Sequence, residues 1–405
     1  MLRPQDTGYN QLLRKPSAMT LLSAATLTLL AVAVACAVPP TPSPSLPDGP
    51  HLSADGVALR RLLQQVERLE PARIAIKAAR ARSAVAHCGT VRSRPSDFSM
   101  ELLLAGLECD DGEEVPDGIS VLRERADLVL SVPRLDGGHF VAEARIAPDG
   151  RVDAILQVPI ADSGPWSLLV PASGKPGPAL LGTRDALVHV RTRASGKLNI
   201  ANLVSPGSQA DQLFGLRNSL FAGALLDGRI ELALYPPHNG HVIPPAALAL
   251  GVTLAPAARE AMSAYVDHIE AAWTVHRSPL RIGDSAGLCL TDLNTAPDLA
   301  PCYVATDDAL ILGWNAASLE LALSDPPSES SGGASDRGGS LRVQLDRLPA
   351  ADAVLAESWG SEAGTPVSGY PWKSLAARSK ATKDGVEISI TLEAAPKSSG
   401  AGGAP

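Results

Sequence analysis

The chain has 405 residues, a formal net charge of −8 and 45% apolar residues, of which only a small part, 3% of the chain, is aromatic. So few rings leave neither a sugar-stacking platform nor a base-stacking surface, and the acidic balance with scattered basic residues argues against nucleic acid as a partner. The length suits two domains or one large duplicated one, with a core built from Leu, Val, Ile and Ala.

The N-terminal segment carries Arg3, Arg14 and Lys15 against Asp6, then an uncharged apolar run from Met19 to Ala35. A basic start, an apolar centre and small residues at the end form a secretory signal. The run ends in Ala33-Val34-Ala35-Cys36, and a tether rich in proline follows over Val38–Pro50. This arrangement resembles the export signal of bacterial lipoproteins. The resemblance implies cleavage before Cys36, acylation of its thiol, and a lipid-anchored protein of the cell envelope. Ala37, standing where an Asp would signal inner-membrane retention, implies the outer membrane. Cleavage after Ala35 without lipid, or an uncleaved anchor, are the competing readings. Residues 1–35 are thus expected as signal peptide and 36–52 as lipidated cysteine and semi-rigid spacer.

Leu59, Leu62, Val66 and Leu69 recur at helical spacing, and Pro71 ends the pattern. Pro71 to His87 fits helix or strand. From Asp127 the period changes to short apolar runs, 128–132, 140–146 and 152–158, separated by Asp136-Gly137 and Asp149-Gly150. Asp-Gly between such runs predicts antiparallel hairpins. Helices are expected over Ser208–Leu226 and Pro256–Trp273, and a third capped by Asn315. Asp325–Ser340 and residues 394–405 have the composition of mobile or disordered segments.

Two stretches read alike. Leu187–Arg191 leads through the Ser208 helix to Asp227-Gly228 and a strand; Leu341–Leu345 leads through a helix at Trp372–Lys380 to Asp384-Gly385 and a strand. The expected fold is therefore α+β, antiparallel sheets with flanking helices in two related halves, 53–235 and 236–393.

Five cysteines are present. With Cys36 assigned to lipid, Cys88, Cys109, Cys289 and Cys302 remain. In an oxidising compartment their two local couples suggest two disulfides, the second across a hairpin; four buried thiols are the alternative.

Candidate chemistry is sparse. Gly283-Asp284-Ser285-Ala286-Gly287 resembles the serine signature of trypsin-like proteases, and Val85-Ala86-His87-Cys88 their histidine signature. The resemblance implies a Ser285–His87 dyad. The strand-like run after Gly287 lacks the strand–turn–helix context of a hydrolase elbow, so a turn entering a hairpin is expected instead. His238 and His241 have H-x-x-H spacing without further ligands, and Cys109–Glu114 lacks calcium-loop spacing. Gly137-Gly138 and Gly332-Gly333 are not phosphate loops. The reading is a non-enzymatic, membrane-anchored binding or structural ectodomain, with no catalytic set, metal or cofactor, contacting an envelope protein or an apolar ligand. The alternative is an extracytoplasmic serine hydrolase using Ser285.

Overall fold

The computed structural model describes residues 46–68, 72–96, 99–110, 116–133, 139–159, 177–182, 184–193, 225–238, 243–272, 274–292, 299–324, 338–358, 370–382 and 385–395. The signal segment, Cys36, most of the tether, residues 208–224 of the helix expected over Ser208–Leu226, and the segments 325–337 and 396–405 lie outside them.

The first part of the chain supplies β1 (His51–Asp55), α1 (Gly56–Val66), α2 (Ala72–Ala84), β2 (Thr90–Ser93), α3 (Met100–Ala105), β3 (Glu108–Cys109) and α4 (Asp117–Arg123). A meander follows: β4 (Leu128–Pro133), β5 (His139–Ile146) and β6 (Val152–Pro159). Next come β7 (Val188–Arg193), β8 (Leu226–Leu234), β9 (Ala246–Val252), α5 (Ala255–Ala272), β10 (His276–Ile282), β11 (Ser285–Thr291), β12 (Cys302–Ala305), β13 (Ala309–Gly313) and α6 (Ala316–Ser324). The chain closes with β14 (Gly339–Gln344), α7 (Leu348–Ser358), β15 (Trp372–Ala381) and β16 (Gly385–Ala394).

All sixteen strands belong to one sheet, in the order β10-β11-β12-β13-β9-β8-β7-β14-β15-β16-β6-β5-β4-β1-β2-β3, and every pairing is antiparallel. This overturns the expected α+β fold in two related halves: the protein is a predominantly β structure. The duplication signal fails for a local reason. Gly228 (φ 90°) sits in a register shift inside β8, between Leu226 and Ile230, so its Asp-Gly pair makes a bulge. Gly385 (φ 152°) closes the β15–β16 hairpin, where Thr382 N donates to Gly385 O. Trp372–Lys380, expected as a helix, is strand β15, paired on both sides with β14 and β16. Its Ala, Lys and Arg favour helix intrinsically, but two neighbours that satisfy its backbone decide the outcome.

Within Pro71–His87, where the sequence leaves helix and strand both open, Ala72–Ala84 is helix α2. Other expectations hold. Asn315 Oδ1 accepts from Ser318 N at 2.9 Å and caps α6. Gly150 (φ 93°) turns β5 into β6. Both disulfides form, Cys88–Cys109 and Cys289–Cys302.

Alternation gives the sheet two chemically distinct faces. On one, Leu52, Leu130, Ala144, Val152, Leu392, Leu375, Val343, Val188 and Leu250 form a nearly continuous apolar surface. Helices cover it along its length: α1, α2 and α3 over β1 and β2, α1 again over β5 and β6, α7 over the centre, and α5 over β9 and β13. The opposite face is covered, among the described residues, on β4 toward one end and from β13 to β8 toward the other, where Leu180 and Leu181 also pack. There α4 packs Ile119 on Val129, and α6 packs Leu319 among Ala233, Ala247 and Ile311.

Candidate functional site: the open polar face of the sheet

Between those two caps, β7, β14, β15, β16 and β6 turn a polar surface outward. Register fixes its rows. Arg191, Ser340, Arg378, Ser389 and Ile155 stand opposite one another across five strands. A second row runs His189, Arg342, Ala376, Thr391, Asp153 and Arg145. Arg342, Ala376, Arg378, Lys380, Ser389, Ile155 and Gln157 are all exposed.

Three neighbouring strands concentrate positive charge. β7 reads Val-His-Val-Arg-Thr-Arg, β14 Gly-Ser-Leu-Arg-Val-Gln and β15 Trp-Lys-Ser-Leu-Ala-Ala-Arg-Ser-Lys-Ala. None contains Asp or Glu, in a chain whose net charge is −8. Period-2 alternation sends Val188, Val190, Leu341, Val343 and Leu375 to the helix-covered face. It sends Arg191, Arg193, Arg342, Arg378 and Lys380 to the open one. Arg191 donates to Gly177 O, and Lys380 pairs with Glu387 on β16 at 2.6 Å. Arg193 and Arg342 meet no acid among the described residues. The basic residues that look scattered in sequence are thus gathered by three segments far apart in the chain. The missed signal was the absence of acid from all three strands.

The strip ends in a buried polar pair. Glu231 on β8, 1% exposed, takes His189 Nε2 at 2.6 Å on one oxygen and Leu180 N at 2.6 Å on the other. Beside it the Tyr235 hydroxyl donates to Gly182 O at 2.9 Å; burial, with the Glu231 charge adding, pushes the phenol well above its ordinary range.

The same face ends, on β1, β4 and β2, in a second polar cluster. His51 stands opposite Ser131, and Ser53 opposite Arg92. His51 Nδ1, Ser131 Oγ and Asp110 Oδ1 are buried with no hydrogen-bond partner. Asp110 Oδ1 lies 3.8 Å from Arg92 Nη1. Burial, with Arg94 adding, holds the His51 imidazole below its usual range. The three residue types are those of a hydrolase triad, but these orphaned atoms are not bonded to one another.

Ser285 and His87 are not brought together. Ser285 opens β11 directly after a Gly283-Asp284 turn, as expected of a hairpin. His87 lies beside β3, with thirteen strands between β11 and β3 in the sheet order. His87 Nε2 instead sits 3.3 Å from Cys109 Sγ, and His87, Cys88 and Cys109 are clustered within 4.8 Å. Both sulfurs are consumed by their disulfide, so this trio offers a metal one ring nitrogen. His241, Gly137-Gly138, Gly332-Gly333 and residues 111–115 lie outside the described residues. No helix among the described residues is long and apolar enough to cross a membrane.

The chain matches no protein-family model, and neither a similar curated protein nor a similar solved structure was found.

Proposed function

We propose that this chain is an exported lipoprotein, held to a bilayer through Cys36, whose ectodomain is a non-enzymatic binding module. The observation that carries the reading is the uneven cover of the sheet. Five helices protect one face, while the central strands of the other present exposed side chains. A sheet of this width needs both faces buried unless one serves water or a partner. The open face is polar, which favours a polar partner over the apolar ligand. The signal anatomy supports the anchor, and two disulfides fit an oxidising compartment. The distance in the fold between Ser285 and His87 weighs against the hydrolase alternative, because proton transfer needs hydrogen-bond contact.

Two measurements test this. Labelled palmitate should enter the wild-type chain and not Cys36→Ser. A photo-crosslinking residue at position 376, in the intact envelope, should yield a discrete adduct that the same residue at exposed position 260 on α5 does not. Equal adducts at both positions would remove the open face as the working surface.

A further inference from the structure

We infer that the open face binds a linear, phosphate-bearing polyanion along β7, β14 and β15. This deepens the binding reading above and rests on it.

Charge complementarity selects the ligand. Arg191, Arg193, Arg342, Arg378 and Lys380 point to one side from three adjacent strands that hold no acid. A protein of net charge −8 gains nothing from gathering like charges on neighbouring strands; Arg342 lies diagonal to both Arg191 and Arg378, within reach for long side chains to repel unless a counter-charge spans them. Among the described residues, nearby acids do not meet Arg193 or Arg342. Glu387 is taken by Lys380, Glu231 is buried on His189, and Glu393 accepts from Ser374.

Geometry selects a linear ligand. Same-face residues on one strand recur every ~6.7 Å, and neighbouring strands lie ~4.8 Å apart. Arg191 and Arg193 therefore repeat along β7, as Arg378 and Lys380 do along β15, with Arg342 between the two lines. Such a lattice meets successive anions of an extended chain and leaves a single small anion with one or two contacts.

Side-chain type selects phosphate. Four of the five cations are Arg, whose planar fork matches phosphate oxygens bidentately. The same rows hold Ser340 and Ser389 as additional donors. They hold no Phe, Tyr or Trp, so the polymer is read through its charges and not by base stacking.

The test uses the full-length protein in detergent, and inorganic polyphosphate as the probe, titrated over a range of salt. The double variant Arg193→Gln/Arg342→Gln should weaken binding at least tenfold. It should also lower the slope of log K against log salt by about 1 to 2, one unit per lost phosphate contact. Arg80→Gln, at an exposed position of α2, should leave both unchanged. Matching thermal midpoints for the three proteins exclude misfolding, and Arg378→Gln is the substitute if the double variant melts early. No polyphosphate binding at low salt would overturn this inference; the crosslinking at position 376 would still stand or fall separately. Tighter binding of polyglutamate would overturn phosphate as the ligand. Equal weakening by Arg80→Gln would overturn the strip as the site.

Discussion

His189 on β7 and Glu231 on β8 sit diagonally across the ladder with Nε2 and Oε1 2.6 Å apart, and Glu231 is almost completely buried. The carboxylate also receives Leu180 N, so it fixes the segment before β7 against the sheet as well as the histidine. Removing the acid strands both donors.

Glu231→Ala should therefore destabilise the fold by roughly 3 kcal/mol, the scale for breaking a buried, hydrogen-bonded pair. Urea unfolding measures this. Glu231→Gln keeps the acceptor for Leu180 N and should cost less than the alanine change.

His51 gives the protein an acid-side weakness. Its imidazole is held low first by burial and then by Arg94; Asp110 pulls the other way and Arg92 again lowers it. The folded state favours its neutral form, while the unfolded chain protonates near pH 6.5. The stability it contributes is present above that value and is lost as pH falls toward the folded value, by at most about 1.4 kcal/mol per pH unit. Unfolding free energies between pH 7 and 5 should fall more steeply in wild type than in His51→Gln. Parallel curves would contradict the assignment.

Gly287 lies where β11 and β12 come closest. A Cβ there would meet Tyr303 O at 2.2 Å and Val304 Cγ2 at 2.6 Å, and backbone cannot yield as a side chain does. Gly287→Ala should cost about 2 kcal/mol by overpacking. Gly89→Ala, with nothing within 4 Å of the added atom, should be close to neutral in the same melt.

The two bridges staple strands toward opposite ends of the sheet, Cys88–Cys109 at β2 and β3, Cys289–Cys302 across β11 and β12. With Cys36→Ser, the denatured protein should show no free thiol before reduction and four after it. Closing loops of this size stabilises by roughly 3 kcal/mol each. Cys289→Ser/Cys302→Ser should lose about that amount in unfolding measurements.

Local signals were legible in the sequence and long-range ones were not. Gly150 betrays its turn because positive φ needs glycine, Asn315 its cap, and Cys289 with Cys302 their hairpin. All are decided within about fifteen residues of chain. Alternation in β16 says that Thr391 faces away from Leu392; it does not say that Thr391 will bond Asp153 on β6. A period of two identifies a strand and its faces, never its neighbour. The strip escaped notice for the same reason: Arg191, Arg342 and Arg378 become neighbours only once β14 inserts between β7 and β15. The Asp-Gly pairs misled because one dipeptide serves a bulge at Gly228 and a hairpin at Gly385.

Thiol labelling at adjacent positions of β15 tests the open face most directly. In a Cys36→Ser background, Ala376→Cys should react with a water-soluble maleimide at the rate of a free peptide thiol, and adding polyphosphate should slow it. Leu375→Cys, one residue away on the helix-covered face, should react only after unfolding. Equal protection at both positions would show that the central strands are covered on either side, and the surface assigned to binding would not exist.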